Sequence, residues 1–231
     1  MLIAAIALAL TGCKPRTTLD LHYLSGIVPG SQNIFGPAKI AVAPTTGDIG
    51  AGDYQAGSIY AADGDTQTPL WIDDAARTFN RALIRGLTDA GLRPVPIDAT
   101  PDRAKPPQGS DFILTSQLEQ VVVNKHFGPN WTVHGQYFTM NSLVRVRYEL
   151  KNRDGAVVLS SEIDGKEDEP PNPVGAEVFL PLETEPAESL SVAVSRAVGL
   201  LIVDPKFRDP LPIRPVANAA TASAAPSPVQ H

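Results

Sequence analysis

Residues 143–151 alternate with a period of two. Val144, Val146, Tyr148 and Leu150 fall on one side, and Arg145, Arg147, Glu149 and Lys151 on the other. Successive side chains of a strand point to opposite faces, so this run reads as an antiparallel strand with one buried and one wet face. Asn152-Arg153-Asp154-Gly155 follows. Asp-Gly is a favoured hairpin pair, which makes Ala156 to Asp164 the returning strand. Asp111 to Lys125 and Thr132 to Leu150 read as two further long strands, with shorter ones at Ala38 to Ala43, Ser58 to Ala62 and Leu92 to Ile97. The acidic, proline-rich segment Lys166 to Pro173 reads as a loop.

A sheet with one apolar face needs a cover, and two stripes at helical spacing supply it. Trp71, Ala75, Phe79, Leu83, Leu87 and Ala90 line one side of a helix expected over about Pro69 to Ala90, capped by Thr68 and ended by Gly91. Ala187, Leu190, Val194, Ala197, Val198 and Leu201 line a second, over about Pro186 to Val203, capped by Thr184 or Glu185. The expected fold is α+β: a mostly antiparallel sheet with two amphipathic helices packed on one face. This domain is expected over 38–205. A linker (13–37) precedes it, and a Pro-, Ala- and Ser-rich disordered tail (206–231) follows.

Composition excludes several function classes. The formal net charge of −6 argues against a nucleic-acid binder, which needs a basic face. A single cysteine excludes an internal disulfide and any Cys-cluster metal site. After the first dozen residues there is no run of about 20 apolar residues, hence no internal membrane span.

That cysteine stands at the end of an apolar run. Residues 2–10 have the length of a signal-peptide hydrophobic region, too short to span a bilayer, and lead into Leu10-Thr11-Gly12-Cys13. This resembles the bacterial lipobox, in which a bulky apolar residue and two small ones precede an obligatory cysteine. The resemblance implies a lipoprotein signal peptide over 1–12, cleavage between Gly12 and Cys13, and lipidation (diacylglyceryl, then a fatty acyl chain such as palmitate) at Cys13. Each acyl chain contributes about 0.8 kcal/mol per buried methylene, so two or more anchor stably. Lys14, where an aspartate would favour inner-membrane retention, implies the outer membrane, facing the periplasm.

The search for chemistry returns little. There is no Gly-x-Ser-x-Gly elbow, no His-Glu-x-x-His, and no glycine-rich phosphate loop. No catalytic residue, metal ligand or cofactor is expected. His126 and His134 flank Gly128-Pro129-Asn130 and read as solvated strand-end histidines. Arg77, Arg81 and Arg85 are spaced i, i+4, i+8 along one helix edge. Two readings stand for them: a docking stripe for an acidic partner or phospholipid headgroups, or a wet helix face paired with Asp73, Asp74 and Asp89. Trp131, beside Phe127, is a candidate contact residue.

The order of elements is itself informative. A lipobox is followed by His22-Tyr23-Leu24, a strand reading Ile40-Ala41-Val42-Ala43-Pro44, and a helix through Arg81-Ala82-Leu83-Ile84-Arg85-Gly86-Leu87. A hairpin and a last helix ending in Asp204-Pro205 complete it. This resembles the bacterial envelope lipoproteins that serve as auxiliary components of ABC-type transport systems, some of which move lipids between membranes. The resemblance covers roughly residues 10–205 and supplies no catalytic residue. It implies a non-catalytic, membrane-anchored protein that binds an envelope transporter or assembly partner. The alternative is an envelope lipoprotein holding a lipid or small amphiphile between helices and sheet.

Overall fold

The computed structural model describes residues 17–47, 49, 52–61, 63–98, 106–128, 137–173 and 184–213. Among these, eight strands run in the order β1 (Thr17–Thr18), β2 (Lys39–Val42), β3 (Asp53–Tyr60), β4 (Thr66–Asp73), β5 (Arg93–Pro96), β6 (Phe112–Gly128), β7 (Tyr137–Asn152) and β8 (Val157–Pro173). Helix α1 (Ala75–Asp89) lies between β4 and β5, and α2 (Thr184–Val203) and the short α3 (Pro205–Arg208) follow β8.

β6 is the spine of the sheet. One of its edges pairs antiparallel with β7 from Phe112↔Asn152 to Gly128↔Tyr137, and β7 pairs antiparallel with β8. Its other edge is shared: Phe112 to Leu114 pair parallel with β2, and Val123 to His126 pair parallel with β3. β5 lies parallel beyond β2. β4 lies antiparallel beyond β3, and β1 parallel beyond β4. The sheet is therefore mixed, not mostly antiparallel. The period-two pattern of β7 reports a wet face but not a pairing direction. The sign of parallel pairing sits in β2, where Ile40, Ala41 and Val42 are all buried, a continuous apolar run covered on both faces.

Both long helices cover the face carrying Val144, Val146, Tyr148 and Leu150. Phe79 of α1 meets Tyr148 at 6.4 Å between ring centres, and the Tyr148 hydroxyl points to the Ala197 carbonyl of α2 at 3.4 Å. Burial pushes the Tyr148 phenol pKa above its ordinary value. By length and composition Glu185–Val203 could cross a membrane, yet 67% of it is buried within the fold. It is the core helix of this domain. It lies close to the sheet because β8 carries Gly165 beneath it: a Cβ there would come 1.9 Å from the Ala193 carbonyl oxygen.

Four expectations are corrected. The helix expected from Pro69 starts at Ala75, capped by Asp74, whose carboxylate accepts from the Arg77 N–H; Pro69 to Asp73 belong to β4. Leu70 and Ile72 are buried on either side of a partly exposed Trp71, a period-two pattern that overlaps the helical stripe at its start. The acidic segment 166–173 extends β8, as in Ser142↔Glu167 and Asn141↔Asp168, instead of forming a loop. At a sheet edge proline costs no ladder bond, and charge discourages further pairing. The described part of the expected linker is packed: Leu19 and Phe35 are in the core. The fold also continues past 205. Phe207 is fully buried edge-on against Phe35 at 5.9 Å, and Phe35 bridges to Ile213. Residues 214–231 of the expected tail lie outside the described residues.

Gly165→Ala should lower the unfolding free energy by about 1–3 kcal/mol, because the clash is with helix backbone that cannot turn aside. Gly36→Ala, where a Cβ would meet its nearest atom at an ordinary 3.6 Å, should change it by less than about 0.5 kcal/mol. Urea unfolding of the two purified variants checks this.

Candidate functional site

The chain enters the fold at β1, where the Leu19 N–H donates to the Trp71 carbonyl at 2.7 Å. Residues 19–25 then form a strap across α2. The His22 N–H donates to Ser191 Oγ at 3.0 Å and the Leu24 N–H to Ser195 Oγ at 2.8 Å. Each serine hydroxyl in turn donates to the carbonyl one turn back, of Ala187 and Ser191 respectively, both at 2.7 Å. A hydroxyl both gives and takes, so two serines at i and i+4 satisfy the strap without leaving an orphan group on an otherwise apolar helix. Tyr23 packs toward α1 at Gly86, where a Cβ would come 3.2 Å from its ring. Burial, then the Asp89 carboxylate, raises the Tyr23 phenol pKa, while Arg85 opposes them.

Between strap and α1 lies a groove of about 620 Å3. Thr18, Asp20 and Tyr23 are on one wall; Asp73, Asp74, Arg77, Arg81 and Arg85 are on the other, so three carboxylates line it beside three guanidinium groups. The structure thus brings all three arginines of the sequence stripe together, exposed, on one site. It does not pair them. Among the described residues none of the three guanidinium groups makes a hydrogen bond or ion pair. The neighbouring carboxylates have contacts of their own but keep their charge. Asp74 caps α1, Asp20 lies 3.6 Å from His22, Asp89 accepts from the Ser25 hydroxyl, and Asp73 also has a partner. Asp73 and Asp74 share the groove with the arginines, and Asp89 and Arg85 both act on Tyr23, so the carboxylates remain close to the row without an ion pair among the described residues. A smaller groove of about 380 Å3 flanks the strap on the α2 side, between His22, Leu24, Glu188 and Ser191.

The opposite, wet face of β6–β7–β8 is charged but internally matched. Arg145 grips Asp164 through two bonds of 2.7 and 2.9 Å and lies 3.3 Å from Glu162, and Arg147 reaches Glu119 at 2.7 Å. On the helix side Lys125, 5% exposed, pairs with Glu185 at the start of α2 and sits 4.2 Å over the Phe138 ring. The sequence reading missed this pair and the serine contacts. Ser191 and Ser195, one turn apart on an apolar helix, were the available signal. His126 stacks on Tyr60 at 4.5 Å. Among the described residues no group of three or more His, Cys, Asp or Glu could hold a metal ion. Gly12, Cys13, Trp131 and His134 lie outside the described residues.

No protein-family model and no curated protein matches the chain. It is similar to the crystal structure of a Xanthomonas campestris protein of the DUF330 family, at 11% identity and a TM-score of 0.49, over 81% of this chain and 92% of that one. It is also similar to a Helicobacter pylori protein described as a neuraminyllactose-binding hemagglutinin homologue, at 10% identity and a TM-score of 0.43, over 84% and 95% of the two chains. A Neisseria meningitidis lipoprotein matches at 15% identity and a TM-score of 0.27, over 57% and 84%.

Arg145 holds the Asp164 carboxyl below the ordinary 3.8, against a smaller opposing effect of desolvation. A carboxylate depressed in the folded state adds stability above its unfolded pKa and loses it as pH falls through the folded value. Asp164→Asn should therefore lower the melting temperature at pH 7 and flatten its decline below about pH 4, as a thermal unfolding series against pH would show.

Proposed function

We propose that this chain is a non-catalytic bacterial envelope lipoprotein, anchored through acylated Cys13, that serves as an auxiliary, partner-binding component of an envelope ABC-type transport system, with lipid as the cargo class. The outer membrane, facing the periplasm, is the proposed location. The observation that carries this reading is the way the anchor joins the fold. Four residues after Cys13 the chain is already a strand, and by Leu19 it is core. An anchor built into the sheet holds the domain at the membrane in one orientation, as a docking component requires.

The alternative, a lipid or amphiphile held between helices and sheet, is less well supported. That interface is filled by side chains: Phe79, Leu83, Tyr148, Leu190, Val194 and Val198 are all buried there.

Membrane fractionation and crosslinking pull-down should place the wild-type chain in envelope fractions with transporter subunits, and Cys13→Ser in the soluble fraction. A wild-type chain that fractionates as soluble and crosslinks to no envelope protein would refute the proposal.

A further inference from the structure

We propose that the groove between the strap and α1 binds the phosphates of anionic phospholipid headgroups, with Arg77, Arg81 and Arg85 as its cationic wall. Acyl chain and arginine row then form a two-point attachment that lays α1 against the bilayer. This rests on the acylation of Cys13 proposed above.

Three observations carry it. The first is the arginine row itself: three exposed guanidinium groups with no hydrogen bond or ion pair among the described residues, in a groove whose lining also carries Asp20, Asp73 and Asp74. Guanidinium is a rigid fork of donors that matches phosphate oxygens two at a time, so such groups are a competent anion site. The second is the spacing. At 1.5 Å per residue the row from Arg77 to Arg85 rises about 12 Å along the helix, winding roughly 80° round it, a span longer than a single small anion covers. The third is position. Thr18 lines the groove and is five residue steps on from Cys13. Fully extended, they reach at most about 17 Å. The groove is thus confined to the neighbourhood of the headgroups, where basic side chains are drawn to an anionic surface. An acidic protein partner would have to compete for the same wall with a surface that the anchor always supplies.

The test uses the full acylated chain in phosphatidylcholine vesicles with or without phosphatidylglycerol. A fluorophore at Thr88→Cys, one turn beyond Arg85 on α1 and exposed, is read by quenching from headgroup-labelled lipid. In phosphatidylglycerol vesicles, quenching should be at least about twofold stronger for the wild type than for the triple variant Arg77→Gln, Arg81→Gln, Arg85→Gln. Raising salt from roughly 0.01 to 1 M, which shortens the Debye length from about 30 to about 3 Å, should remove the difference. Arg93→Gln, exposed and outside the groove, should quench like wild type. Equal quenching of wild type and triple variant, both vesicle-bound, overturns the proposal while leaving the anchor intact; the arginines then serve an acidic protein. A wild-type chain that does not bind vesicles overturns the anchor and this proposal with it.

Discussion

The rest of the structure depends on the close seating of α2. The helix is apolar over most of its surface, so it is stable only where most sides find a partner. Gly165 lets its backbone settle onto β8. Gly86 lets α1 cross it at Val198. Ser191 and Ser195 present hydroxyls to the strap on a further side. Each contact depends on a small residue at one place, and together they fix the helix relative to sheet, neighbouring helix and incoming chain. The strap is consequently not an accessory to the fold. It covers the face of α2 at Ser191 and Ser195, while the stripe through Glu188, Val192, Arg196 and Leu200 stays at least partly exposed.

How much of this was legible follows from the kind of signal each part leaves. The alternation of β7, the Asp154-Gly155 turn with Gly155 at a φ of 84°, and the α2 stripe were all readable, because each is a local pattern with a local cause. Pairing direction was not. β2 and β3 lie parallel to β6 because the chain between them runs on along the same edge, touching it at Thr46↔Gln117, and only the tertiary path sets that. Composition misled at 166–173 and at 17–37. Proline and acid content suggests solvent, but an edge strand tolerates both, and Leu19 and Phe35 were few among many polar neighbours. At the candidate site the row of arginines could be read from spacing alone. Whether Asp73, Asp74 and Asp89 form ion pairs with it could not, because that is decided by how the side chains point in the fold.

The two charged surfaces make the point in energetic terms. The ladder on the wet face of β6–β7–β8 is matched pair by pair, and exposed pairs of this sort contribute about 0–1 kcal/mol each. They hold the long strands in register and keep the β8 edge charged, with little field left over. The arginine row on α1 is the opposite case: exposed, unmatched among the described residues, and placed beside the segment that leads to Cys13. Like charges four residues apart on a helix repel by a few tenths of a kcal/mol, so the row adds no stability through its own spacing.

The central claim is that residues 19–25 are a built-in part of the fold, and amide hydrogen exchange on the full chain tests it most directly. If the serine contacts hold the strap, the amides of His22 and Leu24 are protected to the same order as those of α2 and exchange only when the domain opens. Exchange of these two amides at the rate of a free peptide, with α2 still protected, would mean that the strap is a loose linker and that the serine contacts do not fix it.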